Sequence, residues 1–191
     1  REMDRLKEAA ATSENPFANV VITLLLDTGM RVSELCALNR SSVDIDDLSA
    51  TVRDGKGGKD RLVLFTEATV GTIEAYGLVR EQIVSRHIPS DEHRDALILN
   101  RRGRRLTPRA VQKLMDVLAD ASDIPRTKLS PHTLRHNFAT GLLEKGVDLV
   151  SIQRLMGHSN IATTRVYLEI NDQSLREIYH RAQRARNEFE D

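Results

Sequence analysis

The sequence has little cysteine, no excess of charge of either sign and no long apolar run. Its single cysteine, Cys36, cannot form an internal disulfide, and no Cys-x-x-Cys pair is available for a structural zinc ion. A reducing, cytoplasmic setting is therefore expected. The longest apolar run, residues 17–26, is about half the roughly 20 residues that a membrane span requires, and it ends at Asp27. It predicts a buried helix, so no membrane partner is expected.

Charge is balanced overall but unevenly placed. The formal net charge is +0, which argues against a polycation that holds nucleic acid by bulk electrostatics alone. Two short segments are nonetheless basic. One contains Lys56, Lys59 and Arg61, and the other contains Arg101, Arg102, Arg104, Arg105 and Arg109. Each segment can face a phosphate backbone, although a basic run considered alone is more often an ordinary solvated turn.

Apolar spacing indicates a mainly α protein with a small antiparallel β-hairpin, an α+β fold. Residues 50–53 and 61–65 read as two extended segments around a glycine-rich turn with Lys56 at its tip. Residues 88–94 predict a polar loop, and the apolar run 96–99 is compatible with a short strand. Helical patterns cover residues 1–11, 17–28, 67–86, 108–121, 132–145, 147–156 and 172–191, and a further short helix begins at residue 31. One compact domain is the default for this length.

Three polar side chains share one face of the helix that follows Pro131. His132, Arg135 and His136 stand at helical spacing, so an imidazole and a guanidinium can meet one anion, for which phosphate is the natural candidate. The alternative is an exposed polar face. A zinc site is weaker, because the i, i+4 histidine motif requires a glutamate where Thr133 stands.

A histidine and a tyrosine follow in one compact segment. His158 belongs to the stretch 157–160, which is predicted to end a helix, and Tyr167 lies nine positions after it. A tyrosine considered alone is usually a packing residue, and the same holds for Tyr76 and Tyr179.

Together these segments resemble successive boxes of the tyrosine recombinase, or phage integrase, family. They are residues 28–35 with Arg31, 55–59 with Lys56, 132–136 with Arg135, 155–158 with His158, and 163–167 with Tyr167. Any one box is weak evidence, but five in the family's order and spacing are specific. The resemblance runs from about residue 16 to 169 and is nearest in character to catalytic domains of Xer and integrase type.

The resemblance implies a nucleophile and two phosphate clamps. Tyr167 would attack the scissile phosphorus, leaving a 3′-phosphotyrosyl link and a free 5′-hydroxyl. Arg31 and Arg135 would hold the non-bridging oxygens of the transition state. Because bond energy is conserved in the covalent link, neither ATP nor a cofactor is expected, and the arginines would stand in for a metal.

The resemblance also implies residues that transfer protons, bind phosphate or orient the basic side chains. Lys56 would protonate the leaving 5′ oxygen, with Lys59 as the alternative candidate. His132 would accept the tyrosine proton or bind phosphate, and His158 would donate to phosphate. Glu34, one helical turn after Arg31, would orient basic side chains, and His136 also matches the pattern.

Two residues depart from the family pattern beside this core set. Asn137 stands where serine or threonine is more common, and Glu169 stands where a histidine often follows the nucleophile. Both are interpreted as variation in packing or partner contacts.

The implied setting is a homo-oligomer, a tetramer on paired double-stranded DNA sites, with accessory DNA-bending proteins as possible partners. Residues 1–191 would form the catalytic domain, and the family's amino-terminal clamp domain is not expected within them. The tail helix, residues 172–191, would dock on a neighbouring protomer or fold back on its own core.

Three other functions compete with this interpretation. A recombinase-derived DNA-binding regulator would keep the fold without the chemistry, but it should have lost at least one of the six catalytic residues. A type IB topoisomerase would share the nucleophile and arginines while relaxing supercoils without pairing sites. A metal-dependent hydrolase is the least favoured.

Overall fold

The computed structural model describes residues 2–53 and 60–157. Within them the chain is mostly helical with one small antiparallel sheet, as the sequence predicts. The α-helices are α1 (Glu2–Ala11), α2 (Ala18–Thr28), α3 (Val32–Ala37), α4 (Glu67–Arg86), α5 (Asp91–Arg94), α6 (Pro108–Ala121), α7 (Pro131–Glu144) and α8 (Leu149–Met156), and the strands are β1 (Val43–Asp44), β2 (Ser49–Val52) and β3 (Arg61–Leu64).

Local signals explain where the helices begin. The Thr107 hydroxyl accepts from the backbone N–H of Ala110 at 3.3 Å, and Pro108 fills the first turn of α6. The Ser130 hydroxyl accepts from the N–H of Thr133 at 3.1 Å at the start of α7. These two predicted caps are confirmed, and the predicted helix over about residues 67–86 agrees with α4.

The sheet has the order β1-β2-β3, with both pairs antiparallel. Ala50 pairs with Val63 and both are buried, whereas the next pair, Thr51 with Leu62, is exposed. Because side chains alternate along a strand, Arg61 falls on the same side as Val63. The predicted hairpin is confirmed in its strands, and its tip, residues 54–59, lies outside the described residues.

Two stretches differ from expectation. Residues 96–99 form no strand but make isolated bridges, Asn39 with Ala96 and Leu99 with Arg105, because each end pairs with a different short segment. The predicted polar loop of residues 88–94 contains the single-turn helix α5, with Ser90 at its N-cap position and the acidic Asp91 and Glu92 in its first turn.

The chain divides into two compact units, residues 1–135 and 136–191. The first has a continuous apolar core drawn from α1, α2, α3, the sheet and α6. In the described part of the second, Ala139, Ile152 and Met156 are buried together, with Phe138 and Leu142 among the side chains packed against them. No helix among residues 2–53 and 60–157 is long and apolar enough to cross a membrane.

Candidate active site

The turn between α2 and α3 positions Arg31. Gly29 ends α2 in the left-handed conformation, with φ of 60°, and its N–H donates to the Leu25 carbonyl at 3.2 Å. This conformation is easy for glycine and costly for a residue with a Cβ. Arg31 then takes extended backbone angles as the N-cap of α3, which leaves its side chain 42% exposed.

Glu34 accepts hydrogen bonds from both the backbone and the side chain of Arg31. One carboxylate oxygen accepts the backbone N–H of Arg31 at 2.6 Å, and the other accepts from its guanidinium Nη1 at 3.0 Å. The first contact is the reach of a third-position glutamate back to the N-cap. The predicted pairing of Glu34 with Arg31 is thus present in the structure.

Glu34 also binds Arg61 of β3, which sequence reasoning assigned to DNA. The Arg61 guanidinium donates from Nη2 at 2.8 Å and from Nε at 3.4 Å to the two carboxylate oxygens. The Glu34 and Arg61 side chains are 6% and 12% exposed. Burial raises the pKa of Glu34, but the hydrogen bonds from Arg61 and from the Arg31 backbone, with both positive charges, outweigh burial and hold its pKa below the ordinary range.

Arg135 reaches the same turn from α7. It is 4% exposed, and its Nη1 donates to the Gly29 carbonyl at 2.5 Å across 106 positions of sequence. The structure therefore connects the second predicted phosphate clamp to the turn that carries the first. His132, one helical turn before Arg135, is exposed, and His136 is partly buried.

Several predicted site residues belong to the segments 54–59 and 158–191. Lys56 and Lys59 belong to residues 54–59, and His158 and Tyr167 belong to residues 158–191, as does the predicted tail helix. All lie outside the described residues, so their roles remain predictions.

The arginine-rich segment separates into different environments. The Arg105 guanidinium is partly buried and donates to the carbonyls of Cys36 and Leu38, each at 3.2 Å, and to the Asn39 side chain at 2.6 Å. Arg101 is exposed and donates to the Glu14 carbonyl at 2.9 Å. The other members are exposed, and they are Arg102, Arg104 and Arg109.

Tyr76 serves packing, as expected, and so does Cys36. The Tyr76 hydroxyl donates to the Leu99 carbonyl at 3.0 Å and accepts the Leu99 N–H at 2.9 Å. Burial raises the pKa of Tyr76, so this hydroxyl is poorly suited to attack. Burial also raises the pKa of the Cys36 thiol to about 11, against a smaller lowering by Arg105. Met30, like Cys36, belongs to the core of the first unit.

Two polar residues were missed by sequence reasoning. One Asp27 carboxylate oxygen accepts from the Thr66 N–H at 2.7 Å and the Thr69 hydroxyl at 2.7 Å, and it thereby satisfies the start of α4. Arg80, 7% exposed, donates to the carbonyls of Ala96 and Arg94. No local pattern marks either one, because their partners lie at least 14 positions away.

Within residues 2–53 and 60–157, no group of three or more histidine, cysteine, aspartate or glutamate side chains is placed to hold a metal ion.

Solved structures place this architecture among the catalytic domains of tyrosine recombinases. A crystal structure of XerA recombinase has a TM-score of 0.81 and 35% identity, covering 95% of this chain and 62% of that one. A XerH recombinase bound to a palindromic difH substrate in a post-cleavage complex has a TM-score of 0.77 and 26% identity, covering 92% and 50%. The catalytic domain of bacteriophage HP1 integrase, 22% identical with a TM-score of 0.63 and coverage of 94% and 90%, shares the fold.

The profile of the phage integrase family matches residues 1–174, and the chain belongs to that family. The tyrosine recombinase XerC of Myxococcus xanthus is 40% identical over 163 residues, which cover 85% of this chain and 53% of the relative. XerA of Thermococcus onnurineus is 38% identical, covering 85% and 54%. The chain thus spans about half the length of these relatives.

Proposed function

We propose that this chain is the catalytic part of a site-specific DNA recombinase that cuts and rejoins strands through a 3′-phosphotyrosyl intermediate at Tyr167. The observation that carries the proposal is the Arg135 bond to the Gly29 carbonyl. It brings Arg135 to the turn that carries Arg31, 104 positions earlier in sequence, and this proximity supports a phosphate clamp formed by the two arginines.

The relatives support the substrate class. Two XerH structures are described as bound to difH substrate, before and after cleavage, at 25% and 26% identity. Relatives from several organisms are named tyrosine recombinases. Double-stranded DNA is accordingly the proposed partner of this chain.

The reaction is a transesterification. The Tyr167 oxygen bonds to phosphorus, the bond to the 5′ oxygen breaks, and the leaving oxygen takes a proton from Lys56. His132 accepts the tyrosine proton or binds phosphate, and His158 donates to the phosphate. Because a free tyrosine hydroxyl titrates near about 10, attack at neutral pH needs a base and nearby positive charge. Arg31 and Arg135 supply that charge from fixed positions.

The assembly is part of the same proposal. Two recombining sites require four active sites, so the protein acts as a tetramer on paired DNA, with residues 172–191 docking on the neighbouring protomer and DNA-bending proteins assisting. In relatives such as the XerC and XerA recombinases, about half of the length has no counterpart in this chain, and we propose that such a part contributes the rest of DNA recognition.

The test is covalent capture. The full-length protein is incubated in chelator with a nicked suicide substrate, chosen by binding selection, as wild type, Tyr167→Phe and the matched control Tyr179→Phe. We expect a protease-sensitive DNA adduct with wild type and Tyr179→Phe and none with Tyr167→Phe, whose DNA affinity stays close to wild type because one hydroxyl adds little to backbone binding.

The other outcomes separate the alternatives. Binding to selected DNA with no wild-type adduct would favour a regulator. An adduct accompanied by supercoil relaxation by monomers, without strand exchange, would favour a topoisomerase. Loss of the adduct in chelator alone would indicate a metal-dependent reaction.

A further inference from the structure

Arg61 lies on the buried face of β3, whereas the two leucines of the same strand are exposed. Leu62 and Leu64 are 50% and 49% exposed, whereas Val63 and Phe65 are buried at 1% and 6%. Strand alternation places Arg61 on the buried side with Val63 and Phe65. The charged residue of this strand therefore faces inward while two leucines face outward.

A guanidinium in that position needs a partner, and Glu34 provides it. Arg61 contacts both carboxylate oxygens, Nη2 at 2.8 Å and Nε at 3.4 Å. Guanidinium and carboxylate geometries match in such two-point contacts, which fix orientation as well as supply energy. A lysine ammonium cannot reproduce this contact.

The same carboxylate holds Arg31. Its two oxygens accept the Arg31 backbone N–H and Nη1, so two arginines share one buried anion. While Arg61 is bound to Glu34, Glu34 contacts the Arg31 guanidinium through one nitrogen only, Nη1. The N–H groups on Nε and Nη2 of Arg31 can then donate to a phosphate. Without Arg61, Glu34 is free to draw the Arg31 guanidinium into a two-point contact of its own.

We infer that Arg61 is a positioning residue that acts on cleavage through Glu34 and Arg31 and does not contact DNA. This inference rests on the proposed function, in which Arg31 clamps the scissile phosphate. It reassigns Arg61 from the basic hairpin segment to the support of the active site, five positions after Lys56 in the same hairpin.

Single-turnover cleavage of the suicide substrate tests it, with DNA titrated to saturation. The full-length variants are Arg61→Gln, Arg61→Lys and the matched control Arg86→Gln, which removes an exposed arginine of α4. We expect Arg61→Gln to cleave at least about tenfold more slowly at saturation, because small misplacement of a catalytic group is costly. Its dissociation constant for DNA should stay within about twofold, and its salt slope should be unchanged, because no phosphate contact is lost.

Three further measurements distinguish a positioning role of Arg61 from a general loss of folding. Arg61→Lys, which keeps the charge and safeguards folding, should restore less than half of the lost rate. Glu34→Gln combined with Arg61→Gln should be little slower than Glu34→Gln alone, since both act on one group. The rate of Arg61→Gln should fall on the acidic side at higher pH than that of wild type, because Glu34 has lost a cation.

Other results overturn the inference. A Kd raised about tenfold with an unchanged saturating rate in Arg61→Gln, restored by Arg61→Lys, would make Arg61 a DNA contact. Equal rates and affinities for Arg61→Gln and Arg86→Gln would remove any role for Arg61. If wild type itself forms no adduct, the proposed function is wrong and the inference is wrong with it. If wild type forms the adduct and Arg61→Gln cleaves at the same rate, only the inference is wrong.

Discussion

At the scale of single residues, Glu34 is a carboxylate with a 6% exposed side chain between two arginines. Burial alone would favour its neutral form, yet four favourable contacts with Arg31 and Arg61 keep it charged. Breaking such a buried pair usually costs more than its net contribution, because the remaining charge is left without a partner.

Glu34→Gln should therefore lower the free energy of unfolding at pH 7 by about 2 kcal/mol. The pKa of Glu34 is lower in the folded chain than its ordinary 4.5, so the folded state binds fewer protons and stability rises with pH through this window. The advantage of wild type is full above about pH 4.5 and is lost as pH falls through the folded pKa. Urea unfolding of both proteins between pH 7 and 3 measures it, and a constant difference across that range would contradict the assignment.

At the scale of elements, the α2–α3 turn is held from several sides. Gly29 supplies the left-handed step and its carbonyl receives Arg135, while Thr28 receives the N–H of Met30 at 3.2 Å on its hydroxyl. The end of α2 also reaches α4 through Asp27. The short turn that carries Arg31, the proposed phosphate clamp, is thus fixed by side chains from two other helices and the sheet.

Gly29→Ala should destabilise the protein by about 1 kcal/mol, because a Cβ is strained at positive φ. Cleavage should fall as well, since Arg31 follows two residues later. The matched control is Gly71→Ala in α4, where an added Cβ meets nothing within 4 Å. That change should stabilise the helix by up to about 1 kcal/mol. Thermal unfolding of both variants checks the pair, and equal shifts in Tm would be inconsistent with a conformational role for Gly29.

At the scale of the whole molecule, the net charge is +0, so the proposed DNA binding would have to use local positive surface. The arginine-rich segment divides into exposed members and Arg105, whose guanidinium joins residues 36–39 to the segment. Five arginines that look alike in sequence therefore have different expected effects on binding.

Arg104→Gln should weaken DNA binding and reduce the slope of log K against log salt by about 0.9, the value for one lost phosphate contact. Arg105→Gln should leave that slope unchanged and lower the free energy of unfolding by about 1 to 3 kcal/mol, because carbonyls lose their donor. Binding titrations at several salt concentrations, with urea unfolding in parallel, separate the two. The reverse pattern would show that Arg105 is the residue that faces DNA.

The sequence by itself determined the helices with strong apolar periods and clear ends. The span of α4 and the caps Thr107 and Ser130 follow from local spacing and side-chain chemistry, which need no distant partner. The family could also be predicted from the sequence, because five short segments keep the order and spacing that the family shows. The match of the phage integrase family to residues 1–174 confirms that prediction.

The tertiary structure alone decided which charged residues are buried with a partner and which face solvent. Arg105 carries the same side chain as its exposed neighbours Arg104 and Arg109. The path of residues 36–39 turns Arg105 inward, and the register of β3 does the same for Arg61. The short apolar segment 96–99 forms isolated bridges and no strand for a similar reason, because β-pairing depends on which other segments of the chain lie next to it. Local sequence sets what a segment prefers, whereas burial and the partner of a charge are fixed by contacts across tens of residues.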